Sequence, residues 1–167
     1  MPKSFLTSPV SSSEGVCPRC GQAGRSVSAT TLKSLLRPET RLRLRSLAGF
    51  QFCATPKCEV AYFGPTARDS VLAAEVRVPI FQKGTAAERL VCYCFQHTVA
   101  EIQQEVRAAG TSRIATGIKT KCAQGLDDCE HTNPQGSCCL GNVRRVIREA
   151  GGTNPSPTSD TGGCGCH

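Results

Sequence analysis

Twelve cysteines, most of them in close pairs, constrain this chain more than any other feature. Cys17-Pro-Arg-Cys20 is C-x2-C, Cys53 and Cys58 form C-x4-C, Cys92-Tyr-Cys94 is C-x-C, and Cys138 and Cys139 are adjacent. Cys122 and Cys129 stand singly, and the sequence closes on Cys164-Gly-Cys166-His167. Thiols in such number serve as disulfide staples or as metal ligands. The N-terminus has no apolar stretch of the secretory kind, and no run approaches the ~18 apolar residues of a membrane-spanning helix. The expectation is a cytoplasmic protein without membrane insertion, whose reduced thiols bind metal. The composition agrees. With 167 residues, 39% hydrophobic and 5% aromatic, the core is thin. Two modules of roughly 80 residues would each need a staple.

Charge is uneven along the chain. Residues 1–90 carry 13 Lys and Arg against 6 Asp and Glu, whereas residues 91–167 carry 7 of each. A zinc held by four thiolates is about −2, and so is an oxidised two-iron cluster with four thiolates. Metallated, the formal +7 falls to about +3. The run from Lys33 to Arg45, with five basic residues and one acidic, reads first as a solvated face. Few aromatics are available for base stacking, which disfavours nucleic acid as a partner.

The pattern divides the chain into four parts. Residues 1–14 form a polar, disordered N-terminus, residues 15–89 a zinc-binding module, residues 90–150 an iron–sulfur module, and residues 151–167 a flexible linker with a metal-binding tail. In the first module Thr30 or Thr31 is expected to cap a short helix ending near Leu36, because Pro38 disfavours helical geometry at Arg37. A second basic helix is expected between Glu39 and Leu47. Strands are expected over 49–53 and 60–63, with one or two more between Ser70 and Phe81. In the second module Leu90 to Cys94 reads as a strand. Thr98-Val-Ala-Glu101 is a capping box opening a helix with Ile102, Val106 and Ala109 on one face, and Gly110 ends it. Residues 111–138 look loop-rich apart from an apolar segment around Ile114 to Ile118. A last helix from Leu140 to Ala150 turns Val143, Val146 and Ile147 inward and Arg144, Arg145 and Arg148 outward.

The spacing of Cys17, Cys20, Cys53 and Cys58 suits two short loops that close a tetrahedral site of four thiolates. Zinc in a structural role is the first expectation, with rubredoxin-like iron or free thiols as alternatives. In Cys92-Tyr-Cys94 an extended backbone would put both sulfurs on one face, which suits two thiolates on one iron. Four thiolates complete a [2Fe–2S] site, and the second pair comes from Cys122, Cys129, Cys138 and Cys139. Neighbouring cysteines 138 and 139 should point apart, so that one of them binds. Helices starting at Thr98 and near Gly141 would aim free N–H groups at an anionic cluster. A second zinc on these thiolates is the alternative.

Cys92-Tyr-Cys-Phe-Gln-His97, together with the run from Cys129 through Asn133-Pro-Gln-Gly-Ser-Cys-Cys-Leu-Gly141 to Val143, resembles the iron–sulfur half of the archaeal and bacterial CopZ-type copper chaperones. That half is similar to the [2Fe–2S] domain of bacterioferritin-associated ferredoxin. The family's N-terminal zinc site resembles Cys17-Pro-Arg-Cys20 and Cys53 with Cys58-Glu-Val-Ala-Tyr-Phe63. The resemblance spans roughly residues 16–150. It implies an α+β protein, a small zinc-stapled module with short strands plus a helical [2Fe–2S]-binding module. It implies Cys92 and Cys94 on one iron and Cys129 and Cys139 on the other. Cys122 is an alternative to Cys129, and Cys138 to Cys139. The family archetype also has a copper-carrying domain with a Met-x-Cys-x-x-Cys loop, which nothing in this sequence matches.

The tail residues Cys164, Cys166 and His167 offer two soft thiolates and an imidazole, donors that suit Cu(I), Hg(II) or Zn(II). His97 and His131 lie near the expected cluster ligands. His97 is expected to begin a helix and His131 to sit in a loop, with a Rieske-type role as the alternative. No GxSxG, P-loop or G-x-G-x-x-G motif occurs. The functional expectation is one-electron transfer linked to copper or another soft metal, rather than a conventional enzyme. Its partners would be copper or other soft metal ions, a copper-carrying domain or metal transporter, and a redox partner. The competing class is a two-zinc binding module that docks to a protein or nucleic acid through its basic half.

Overall fold

The computed structural model describes residues 15–66 and 68–154. It is an α+β chain, with short antiparallel strands in the first half and helices dominating the second. Strands β1 (Arg25–Ser26), β2 (Gln51–Phe52), β3 (Val60–Phe63) and β4 (Ser70–Leu72) form one sheet in that order, every neighbour antiparallel. Helices α1 (Ala29–Leu35) and α2 (Pro38–Arg43) lie between β1 and β2 in sequence.

Local chemistry accounts for most of these boundaries. Ser28, not Thr30 or Thr31, caps α1. Its backbone is extended, as a cap requires, and its Oγ accepts the Thr31 N–H at 3.2 Å. Helix α2 opens on Pro38, whose missing N–H costs nothing in the first turn, and is shorter than the expected 39–47. Ser70 to Phe81 supplies one strand, followed by a 3-10 turn at Ala73–Glu75, an irregular stretch over 76–80 and a second 3-10 turn at Phe81–Lys83. Val76 reaches only an isolated bridge with Leu36, and Pro79 has no N–H to extend a ladder.

A bulge between Val60 and Tyr62 breaks the two-residue alternation of β3. Val60 and Phe63 thereby pack with Cys17, Cys53 and Cys58. Ala61 and Tyr62 pack on the other side with Leu32, Leu35, Phe50 and Val71. One four-residue strand thus serves both the thiol cluster and the larger core under α1.

The second half holds a hairpin of β5 (Leu90–Cys92) and β6 (His97–Thr98) and helices α3 (Val99–Ala109), α4 (Ile114–Ala123), α5 (Cys129–Thr132) and α6 (Leu140–Glu149). The capping box forms as read. Thr98 Oγ1 accepts the Glu101 N–H at 3.2 Å, and Glu101 Oε2 accepts the Thr98 N–H at 2.8 Å. Gly110 ends α3 in the left-handed conformation, φ 72°. The buried stripe is Val99, Ile102 and Val106; Ala109 is exposed because the last turn runs past the core. In α6 Val143, Val146 and Ile147 are buried and Arg144, Arg145 and Arg148 exposed, as expected.

Residues 111–138 are less loop-like than expected. Ile114, Ala115, Ile118 and Cys122 make a buried helical stripe on α4. Its start is held from α3, where Glu105 Oε2 accepts from Ser112 Oγ at 2.6 Å and Arg113 N–H at 2.9 Å. Residues 151–154 also depart from a free linker. Thr153 N–H donates to the Gly110 carbonyl at 2.9 Å, and Thr111 Oγ1 to the Thr153 carbonyl.

The halves meet along a hydrogen-bonded seam. Helix α1 packs on α5. Tyr62 Oη donates to the Pro134 carbonyl at 2.6 Å. Tyr93 Oη donates to the Pro79 carbonyl at 2.6 Å and accepts the Phe81 N–H at 2.9 Å. Burial holds both phenols protonated, Tyr93 up to about 12. Gly136 sits at φ 67° against α1, where a Cβ would come within 3.0 Å of Thr31 Oγ1.

Candidate metal centres

The first centre is built from two loops at one end of the first sheet. In the Cys17 loop, Gly21 N–H donates to the Cys17 carbonyl and Cys17 N–H to the Gln22 carbonyl, both at 2.8 Å, folding the loop back on itself. In the Cys53 loop, Cys58 N–H donates to the Thr55 carbonyl at 3.2 Å and Cys53 N–H to Ala61 at 2.8 Å. These turns bring Cys17 Sγ to 3.8 Å from Cys58 Sγ, and Cys20 Sγ to 3.7 Å from Cys53 Sγ. All four sulfurs lie within 4.8 Å of one another. A tetrahedron with Zn–S bonds of about 2.3 Å has edges of roughly 3.8 Å, so the sulfurs stand where such an ion needs them.

The thiols are pulled in opposite directions. The Thr55 hydroxyl, 3.3 Å away, leads the effects that hold Cys20 down to about 6. Burial pushes Cys17 up to about 12 and also raises Cys58. Four thiolates side by side would repel, and a bound divalent cation removes the conflict. With all four positions supplied by protein, the site is of the closed, structural kind.

The second centre gathers thiols from three places. Cys92 ends β5, and Cys94 lies in the turn between β5 and β6 rather than in a continued strand. The same-face geometry of an extended i, i+2 pair therefore does not apply. The short contacts run between motifs instead. Cys94 Sγ is 3.4 Å from Cys129 Sγ, and Cys139 is the neighbour that most affects the Cys92 thiol. Cys138 contacts both Cys129 and Cys139. Both cysteines 138 and 139 thus lie near the other thiols of this set. Cys139 has helical dihedrals, φ −80° and ψ −6°, so successive side chains are nearer 100° than 180° apart. Cys122 is placed in the apolar core on α4.

Backbone donors surround these sulfurs. Asp128 N–H donates to Cys94 Sγ at 3.3 Å, and the N–H groups of Phe95 and Cys94 point to Cys92. Helix α6 starts directly after Cys139 with no side-chain cap, so its first N–H groups have no side-chain partner at that end. The α3 terminus, by contrast, is occupied by its own capping box. In each pair one thiol is drawn down and the other up. The Cys129 contact leads in lowering Cys94 to about 6, and the Cys139 contact leads in lowering Cys92. Cys129 and Cys139 are both raised, first by Cys138 and then by their partners. Ionising these thiols together is favoured beside a positive charge, so the residues present fit a bound cation.

Neither histidine expectation holds in detail. His97 lies on β6, one residue before the α3 cap, with Nδ1 3.6 Å from Glu101 Oε2. His131 lies on α5 rather than in a loop, with Nδ1 2.6 Å from Asp128 Oδ1. Cys164, Cys166 and His167 lie outside the described residues, as does the 1–14 segment.

Residues 14–77 match the zf_CopZ family, a zinc binding domain. The first centre is therefore a zinc site, and this zinc domain contains all four of its cysteines. The fold as a whole is similar to the X-ray structure of the Archaeoglobus fulgidus CopZ N-terminal domain. Identity is 24% and the TM-score 0.63, over 78% of this chain and 96% of that one. No curated protein matches the chain. Among the described residues, no helix is long and apolar enough to cross a membrane.

Proposed function

We propose that the chain is a redox protein with a structural zinc in residues 15–89 and a [2Fe–2S] cluster in residues 90–150, working in copper or other soft-metal handling in the cytoplasm. The short Cys94–Cys129 contact, 3.4 Å between sulfurs, carries this reading, and it would seat those two on one iron where the resemblance implied Cys92 with Cys94. Two thiolates for each of two irons is what such a cluster needs. The likeness to the CopZ N-terminal domain supports it at the level of fold.

When bound, the cluster supplies one-electron transfer. The protein's part is to hold and tune it. The Asp128, Phe95 and Cys94 N–H groups donate to sulfur, which withdraws charge from the thiolates and raises a reduction potential. Val91, Ile102, Val143 and Ile147, each fully buried, keep water from the inner side. Cys138 acts on both Cys129 and Cys139 and would serve as a reserve thiol. The tail residues Cys164, Cys166 and His167 are proposed as a capture arm for a soft cation such as Cu(I). A copper-carrying domain or metal transporter and an electron donor complete the partners in this reading.

The test is the visible spectrum of the anaerobically purified chain. A brown protein with sulfur-to-iron charge-transfer bands, lost in Cys94→Ser and Cys129→Ser and kept in Cys122→Ser, is expected. A colourless protein that binds two zinc ions and no iron would instead support the two-zinc docking module. For the tail, removing residues 151–167 should weaken soft-metal binding, and unchanged affinity would take it out of the function.

A further inference from the structure

Two consecutive side chains on the 3-10 turn Phe81–Lys83 hold different partners, Lys83 the zinc loop of its own half and Gln82 a residue across the seam. Lys83 Nζ donates to the Thr55 carbonyl at 3.0 Å and to the carbonyl of the zinc ligand Cys58 at 2.9 Å. Gln82 Nε2 donates to Gln135 Oε1 at 2.8 Å. Gln135 is buried and in turn fixes the loop that carries the second set of thiols. Its Nε2 donates to the Cys138 carbonyl at 2.8 Å and to the Ser137 carbonyl at 3.2 Å, and its Oε1 also accepts from Asn142 Nδ2 on α6 at 2.9 Å.

The Lys83 contacts are chemically unusual. Among the described residues no carboxylate pairs with it, and both its partners are neutral carbonyls of the zinc loop. A half-buried ammonium held this way draws its favourable electrostatics from negative charge close by. A zinc with four thiolates carries about −2 and sits in that loop. Gln82 is placed by the same short turn, so any movement of the zinc loop that pulls Lys83 also pulls on Gln135.

We propose that Gln82 and Lys83 are positioning residues that couple the two centres. Lys83 answers the charge of the zinc thiolates and ties the turn to the zinc loop, and Gln82 passes that position to residues 133–138. Loss of zinc then loosens the loop that presents Cys138 and Cys139. The coupling rests on the reading of the second centre as a cluster site only for its consequence, not for its measurement.

The experiment is amide hydrogen exchange of the full-length zinc-loaded chain, read over residues 133–138. Zinc removal by a chelator should raise exchange there roughly tenfold in the wild type. In Lys83→Met, with zinc still bound, the same loop should exchange faster, and chelator-driven zinc release should quicken roughly tenfold, because two hydrogen bonds to a charged group are lost. Lys83→Arg, which can still donate to both carbonyls, should restore both. Gln82→Leu should raise exchange in the loop and leave zinc release unchanged, a split that general destabilisation would not produce. Loop exchange in zinc-bound Lys83→Met and Gln82→Leu equal to wild type would overturn the proposal. Coupled exchange in a protein without iron would sink only the cluster reading, whereas uncoupled exchange beside an intact iron–sulfur spectrum would sink only the coupling.

Discussion

Tyr62 Oη donates a 2.6 Å hydrogen bond to the carbonyl of Pro134, a buried partner 72 residues further along the chain. Tyr62 belongs to the strand beside the zinc site, and Pro134 to the loop that leads into Cys138 and Cys139. Tyr62→Phe keeps the ring against Phe52 and leaves that carbonyl unsatisfied. The expected cost is about 1–3 kcal/mol in denaturant unfolding, with zinc content unchanged.

Zinc removal should unfold much of the first half. Cys17, Cys53 and Cys58 are themselves buried members of the small core with Val60 and Phe63, so without the ion that core is left with clashing thiolates or unpaired thiols. Chelation should lower the far-UV signal of strands and helices in residues 15–77. Cys53→Ser should do the same without a chelator. An unchanged spectrum would show that the ion does not staple the fold.

Gly24 is required by close approach. A Cβ there would lie 2.5 Å from Phe63 Cζ and 2.7 Å from Gln51 Cβ. Gly24→Ala should therefore destabilise the zinc domain by about 1–3 kcal/mol as these side chains shift. Thermal unfolding followed by zinc release would report it.

Glu75 gives the zinc domain an acid-sensitive contact. Burial alone would raise its pKa. That effect is outweighed by the Leu72 N–H at 2.7 Å, by Arg43 at 2.8 Å and by Thr40 Oγ1, so the carboxyl titrates below its ordinary value. A carboxylate depressed in the folded state contributes stability above its unfolded pKa and loses it as pH falls through the folded one. Stability should decline below the ordinary carboxylate range in the wild type. Glu75→Gln should be less stable at neutral pH and flatter in acid, measured by urea midpoints across pH.

The parts of this fold that depend on a few neighbouring residues were legible in the sequence. The box at Thr98 and Glu101, the stop at Gly110 and the apolar face of α6 need only local spacing. The zinc cysteines were legible because their loops are short. Helix α4 was hidden because its buried stripe runs through Cys122, which reads more readily as a ligand than as a core residue. Strand β1, two residues long, exists only through pairing with the distant β2. The placement of Cys94 in a turn depends on hairpin geometry, including Gln96 at φ 59°. The contacts of Tyr62, Gln82 and Lys83 join residues 25 to 72 positions apart, and no periodicity marks them.

The most direct measurement is metal analysis of the anaerobically purified chain combined with EPR of the dithionite-reduced protein. One zinc and two irons per chain, with the signal of a reduced [2Fe–2S] cluster, are expected. Two zinc ions, no iron and no signal after reduction would contradict a cluster at Cys92, Cys94, Cys129 and Cys139.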